Sequence, residues 1–319
     1  VAIQTVHQHN APMADLDAQR LLAQHGDASG HLTPEVVETV EARLVAAAQE
    51  SVGRLREFDR VGTGQGTVDR VASNRRVRDA QGRIAGRTSL ATEPLRELPE
   101  GRIDPFVKTV TLAAGDRPLV RLHYYACHPQ VKYGNGIATS DFVGMARERL
   151  QEQEGVFQIY FNGCGGDITV GKYNDGSDAA REGFATRLLG GMAQAVAGTV
   201  FEPATTVVWR SHPVVLPRRT DGEFTVESCM ARMQDRESSP VVKVYRSAMR
   251  LASLRRADKA FVISGLTLGK AMIVNLPGEP LIDYQFHAQS LLPDGFVAVA
   301  GYGDGGTGYI CTADEFAAG

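Results

Sequence analysis

Apolar positions recur along the chain with two periods. Val36, Val37, Val40, Leu44 and Val45 repeat as one helical face, with Thr33 at the N-cap position and Pro34 at the first helical position, so the spacing predicts a helix over 34–55. Asp141 and Ser177 likewise cap helices over 141–153 and 178–197, and further helices are expected over 241–257 and 280–291. Short runs rich in β-branched residues predict strands at 1–6, 106–112, 119–126, 156–161, 205–216, 260–268, 271–276 and 296–300. Two of these meet across Ala113-Ala114-Gly115-Asp116-Arg117-Pro118 and two across Gly269-Lys270, as hairpins do. Residues 62–104, rich in Gly and Arg, show no period and read as a long irregular stretch, of the kind that carries function or moves. Strands and helices are mixed, with adjacent strand pairs among them. The expected fold is α/β, a mixed β-sheet layered with helices, forming a single catalytic domain over 1–319.

Composition narrows this picture. A chain of 319 residues with 43% hydrophobic and 22% charged residues can bury a sizeable core and is not intrinsically disordered. A formal net charge of -3 leaves no electrostatic footprint for nucleic acid, and no apolar run reaches the roughly 18 residues of a transmembrane helix. Cys127, Cys164, Cys229 and Cys311 contain no C-x-x-C pair and set no redox compartment. The chain starts at Val1 inside an expected strand and stops just past Glu315, so it is expected to be trimmed at both ends, with a signal peptide, a first strand or both upstream.

Five short stretches could carry chemistry. In Val6-His7-Gln8-His9-Asn10-Ala11-Pro12 the two histidines point to one side of an extended segment. They could share a metal, or one could bind it while the other meets a substrate; they could also simply lie in a surface loop. His128, in Tyr124-Tyr125-Ala126-Cys127-His128-Pro129, follows another strand, and Asp141 further on serves equally well as an N-cap. Asn162-Gly163-Cys164-Gly165-Gly166-Asp167 is a tight turn whose carboxylate could orient a metal-bound histidine. Glu279, in Pro277-Gly278-Glu279-Pro280, either faces the same site or favours a helix N-terminus. Residues 301–309 contain G-x-G-x-x-G, but no long helix follows, so a dinucleotide fingerprint is excluded. That loop reads instead as a glycine-rich carrier of Tyr309, and of Asp304, into the site. Two or three histidines plus a carboxylate, each after its own strand, is the donor set of a catalytic zinc site. The chain has no G-x-S-x-G, S-x-x-K or H-E-x-x-H motif for other hydrolytic chemistries.

In order along the chain, these stretches resemble the neutral/alkaline, non-lysosomal ceramidase family. V-H-Q-H-N-A-P at 6–12 is similar to T-H-T-H-S-G-P; A-C-H-P at 126–129, followed by Ala138-Thr139-Ser140-Asp141, resembles the second histidine segment. Gly166-Asp167-Ile168-Thr169 resembles G-D-V-S-P, Pro277-Gly278-Glu279 matches P-G-E, 309–316 resembles Y-I-T-T-x-E-E-Y, and Asn74-Arg75 has a counterpart as well. The resemblance implies one Zn2+ held by His7, His128, Glu279 and Tyr309, with His9 lining the site and Arg75, Asn162, Asp167 and Tyr309 serving catalysis. It implies hydrolysis of the N-acyl amide bond of a small-molecule or lipid substrate by metal-activated water, and an extracellular or periplasmic location. The chain departs from the family where a serine gives way to Asn162, which leaves no serine nucleophile there, and it is expected to be without the family's C-terminal immunoglobulin-like domain.

Two other readings are open. A TIM-barrel metal amidohydrolase also begins with H-x-H after its first strand, and it predicts eight regular βα units. A non-catalytic relative that binds a lipid or glycan predicts structural zinc or none.

Overall fold

Gly62, Gly64 and Gly66 alternate along a strand, Arg60–Thr67, that the sequence pattern hides within the irregular stretch. The reason is a close approach: the helix Asp178–Ala197 lies directly on this strand. A Cβ added at Gly64 would stand 2.0 Å from the carbonyl oxygen of Ala195, and one at Gly66 would stand 2.0 Å from that of Gly191. A strand with a side chain at neither position lacks the alternation by which strands are recognised. Gly66→Ala is therefore expected to destabilise the fold by about 3 kcal/mol, seen as a lower urea midpoint, because backbone blocks the methyl group and cannot rotate away. An unchanged midpoint would refute this packing.

The computed structural model describes residues 2–12, 14–26, 32–133, 136–235, 241–303 and 305–318. The chain divides into two compact units. Val1–Ala11, Glu57–Pro213 and Val262–Gly319 make the first; Pro12–Arg56 and Val214–Phe261 make the second.

The first unit holds two mixed sheets. One runs in the order Phe157–Asn162, Arg117–Tyr125, Phe106–Ala114, Arg60–Thr67, Val200–Pro203, and only its first two strands are parallel. The other runs Val207–Val214, Phe261–Leu268, Ala271–Pro277, Phe296–Gly303, with its last two strands parallel. The antiparallel pairs in both sheets rule out the all-parallel eight-stranded barrel. The sheets pack face to face through Val61, Val110 and Tyr124 of one and Leu268, Ile273, Ala298 and Ala300 of the other. The helices Asp141–Glu154 and Asp178–Ala197 cover the outer face of the first sheet through Phe142, Phe184 and Leu188. Tyr284 and Ala288, on the helix Ile282–Ser290, cover Val297 and Val299 of the second. The fold is thus mixed α/β with sheets layered between helices, as the alternation of elements predicts.

The second unit is helical. Leu16–Gln24, Val226–Gln234 and Val241–Leu254 pack through Leu21, Leu22, Met233, Tyr245 and Leu251, while Pro34–Val52 buries none of its side chains.

Several boundaries differ from expectation. Of the strand predicted over 1–6, Val1 lies outside the described residues and only Gln4 pairs, in a single antiparallel bridge to Gly303. The helix expected from Pro280 begins at Ile282, because Glu279 and Pro280 form a short parallel ladder with Tyr309 and Ile310.

Candidate metal centre

The parallel strand pair of each sheet ends where candidate residues gather. His128 follows Arg117–Tyr125, and Gly165 to Asp167 follow Phe157–Asn162; Glu279 follows Ala271–Pro277, and Tyr302 stands near the end of Phe296–Gly303. The segment bearing His7 and His9 is drawn to this end because the Thr5 amide and hydroxyl both donate to the Tyr302 carbonyl, at 3.2 and 3.0 Å. His7, His9 and His128 bring nitrogens within 4.8 Å of one another. Glu279 joins them: its Oε2 lies 3.4 Å from His7 Nε2 and 3.5 Å from His128 Nε2.

His128 is fully buried, and its Nδ1 faces the carbonyl oxygens of Gly165 and Ile168 at 2.6 and 3.0 Å. Both are acceptors, so Nδ1 carries the proton and Nε2 presents its lone pair. That Nε2, like the Glu279 Oε2 facing it, has no hydrogen-bond partner. His123 shows the contrast. It is equally buried, but both its nitrogens are satisfied, by Thr109 Oγ1 at 2.8 Å and Gln158 Oε1 at 2.6 Å. His123 is a core histidine; His128 is built to give a lone pair to something.

The spacing fits a metal ion. With zinc bonds to nitrogen and oxygen of about 2.0–2.1 Å, neighbouring ligand atoms at a tetrahedral centre stand about 3.3–3.4 Å apart. The separations of His7 and His128 from Glu279 match this. Electrostatics agrees. Burial, opposed by the Glu279 carboxylate, lowers the His7 imidazole to about 4, and burial lowers His128 to about 3, with the Arg75 guanidinium adding to it. Both are therefore neutral donors at neutral pH. Burial raises the Glu279 carboxyl, against the pull of His7 and Arg75.

The other expected residues are placed as follows. Arg75 donates to the Tyr309 hydroxyl at 2.8 Å and to Gln130 Oε1 at 3.1 Å, and the nearby Tyr309 phenol acts against the upward shift of Glu279. Tyr309 is held there by its ladder with Glu279, rather than delivered by a freely moving loop; Asp304 lies outside the described residues. His9 Nε2 meets Gln130 Nε2 at 3.0 Å, and its ring lies 5.0 Å from that of Tyr133.

Among the described residues Asp167, Asn162 and Asp141 make no side-chain hydrogen bond to the three histidines. The Asp167 carboxylate accepts from Asn74 Nδ2 and from the Ile282 amide, each at 2.8 Å, so it starts a helix and fixes the Asn74-Arg75 turn. The orienting of His128 expected of Asp167 falls to backbone carbonyls instead. Asn162 ends its strand almost fully buried, with both side-chain amide atoms unpartnered. Asp141 accepts from the Val131 and Phe142 amides, and its role is structural.

Tyr302 is the site residue that the sequence pattern does not single out. Its ring stacks on His7 with centroids 4.9 Å apart, and its buried hydroxyl has no partner. Its backbone is held at φ +60, a strained conformation for a non-glycine residue. Both tyrosines lie past the strand expected over 296–300, and only Tyr309 falls within a recognisable motif.

The fold resembles that of solved ceramidases. The neutral ceramidase from Pseudomonas aeruginosa superposes with a TM-score of 0.53 at 15% identity, over 82% of this chain and 48% of that one. A ceramidase complexed with C2 superposes with a TM-score of 0.53 at 14% identity, over 82% of this chain and 49% of that one. At such identities the likeness is one of fold, and the chain spans about half the length of these proteins. No protein-family model matches the chain, and no curated protein matches it by sequence. Among the described residues no helix is long and apolar enough to cross a membrane.

Proposed function

We propose that this chain is a zinc-dependent hydrolase of N-acyl amide bonds, ceramidase-like in its chemistry. The observation that carries the reading is that Glu279 Oε2 stands at tetrahedral ligand spacing from both His7 Nε2 and His128 Nε2, with the Glu279 and His128 atoms buried without partners. When bound, a zinc ion would supply a Lewis acid for the amide carbonyl and for water.

The chain's own groups do the rest. The carbonyls of Gly165 and Ile168 fix the His128 tautomer. Arg75 holds the Tyr309 hydroxyl beside Glu279, where a phenol can donate to the oxygen of the amide as negative charge develops on it. Gln130 bridges Arg75 and His9, placing His9 on the substrate side. The exposed Tyr133 ring beside His9 offers apolar surface to an acyl chain, in a lipid or a smaller substrate. Asp167 positions Arg75 through its neighbour Asn74. Asn162 cannot act as a nucleophile, and the proposed chemistry does not require one.

Metal analysis of the purified protein, followed by hydrolysis of a fluorescent N-acyl sphingosine and of simpler N-acyl amines, tests the reading. Stoichiometric zinc with no turnover of any N-acyl compound would favour a non-catalytic binding relative. Tyr309→Phe keeps the ring and removes only the hydroxyl. It is expected to lower kcat on the order of 10²-fold with little change in thermal midpoint, as for loss of an oxyanion donor. Normal turnover by that variant would remove Tyr309 from the mechanism.

A further inference from the structure

A second set of groups converges away from the histidines. Arg70, Arg96, Arg187 and Lys172 line a cavity of about 440 Å³ together with Tyr173. Glu93 and Glu97 also line it, so four cations face two carboxylates and the net charge is positive.

The arginines are not consumed by ion pairs. Among the described residues none of the three has a carboxylate within 4.0 Å, although two glutamates share the cavity. Their contacts hold them in place without neutralising them. Arg96 Nε donates to the Lys172 carbonyl, and Arg187 Nη1 donates to the Arg70 carbonyl. The Arg70 guanidinium lies over the Tyr173 ring. Lys172 Nζ is spent on the carbonyls of Arg96 and Leu98, which ties the floor of the cavity together while its charge remains.

Arg70 supplies an independent sign. Its backbone sits at φ +54, a region that glycine enters freely and a long side chain does not. Arg70 thus strains its turn and adds a cation to a cavity whose other lining groups are already net positive. Such strain is characteristic of positions that serve a ligand.

We propose that this cavity binds a compact oxyanion of the phosphate or sulfate class, held between the guanidinium groups of Arg70, Arg96 and Arg187. Planar guanidinium forks match tetrahedral oxyanions two bonds at a time, which sets them apart from a monovalent halide. The residues involved are none of those proposed for amide hydrolysis, so the two sites are testable separately.

The test titrates the full chain with inorganic phosphate at constant ionic strength, followed by calorimetry and by thermal midpoint, with sulfate and chloride in parallel. Phosphate and sulfate are expected to bind saturably and raise the midpoint, and chloride is not. Arg70→Gly is expected to weaken phosphate at least tenfold while raising the midpoint of the ligand-free protein, because glycine relaxes the left-handed backbone. The double variant R96Q/R187Q is expected to lose phosphate binding. A vesicle arm separates the sources. Sedimentation with phosphatidic acid but not phosphatidylcholine vesicles, lost in Arg70→Gly, assigns the oxyanion to a lipid headgroup; phosphate binding without sedimentation assigns it to a soluble molecule. No saturable response to phosphate or sulfate, or an unchanged response in both Arg70→Gly and R96Q/R187Q, overturns the proposal.

Discussion

His128→Ala is expected to strip the protein of zinc and to reduce amide hydrolysis to near background. In the intact protein one His128 nitrogen is committed to two carbonyls, and the other is aimed at Glu279 and His7 with nothing else to bind. Alanine removes a ligand from a set of three. Loss of a partner that merely orients a ligand already costs about 10–100-fold in metal affinity, so loss of the ligand itself should exceed 100-fold. Zinc content of the purified variant reads this directly. A second reading is thermal: zinc should raise the melting temperature of the parent protein and leave that of the variant unmoved. Full zinc occupancy in the variant, with normal turnover, would sink the assignment of the centre.

The largest expected effect on stability lies at Arg87. This side chain is buried to 1% exposure, and among the described residues no carboxylate pairs with it. Its guanidinium instead donates to the carbonyl oxygens of Leu95, Asn74, Leu98 and Pro99 at 2.8–3.1 Å, with Glu100 at 3.5 Å. One cation thus satisfies the backbone of an irregular segment that forms no ladder of its own. Arg87→Met keeps much of the volume and leaves those acceptors without donors, each costing about 1–3 kcal/mol where buried. Some will find water, so the net loss is expected on the order of 3–5 kcal/mol, measured by urea denaturation. Because Asn74 adjoins Arg75, turnover should fall as well. A variant within 1 kcal/mol of the parent would show that this segment is held by other means.

How far the sequence anticipates these results depends on the element. The long helices and the two hairpins carry full periodicity and form as the pattern predicts, but the apolar face of Pro34–Val52, with Val36, Val40, Leu44 and Val45, stays exposed. Arg60–Thr67 is invisible because its helix-facing positions are glycines, a requirement imposed by a helix more than a hundred residues away in sequence. Leu16–Gln24 and Val226–Gln234 are short, and their caps are single hydrogen bonds, from Ala18 to Asp15 and from Ser228 to Thr225. Such caps are common in loops as well.

At the site, His7, His128 and Glu279 are legible because each is a metal-ligating residue type placed just after an expected strand or at its end. Tyr302 is not, because its value lies in a stacking contact with His7 and a hydroxyl directed inward, neither of which has a sequence signature. Asp167 shows the converse. Its position among the motifs is plain, yet its two hydrogen bonds, to Asn74 and to the start of a helix, give it an architectural duty that only the tertiary structure reveals.

The pairing of the amino-terminal segment with the end of the last long strand has a consequence for the order in which the centre can be made. The Thr5 hydroxyl meets the Tyr302 carbonyl across 297 positions, and the Gln4 amide meets Asn275 across 271. A ribosome that has released His7 must therefore add Glu279 and Tyr302 before that histidine has its partners. Under the proposed function, metal loading would then be a late event in the life of the chain, after the sheets have formed. An ion tying His7 to Glu279 would then act as a clasp across most of the polypeptide. Each doubling of a closed loop adds only about 0.6 kcal/mol of closure cost, so such a span is affordable once the strands hold its two ends near each other. Chelation should open the clasp at its lighter side, exposing the segment around His7 to proteolysis while the layered sheets persist.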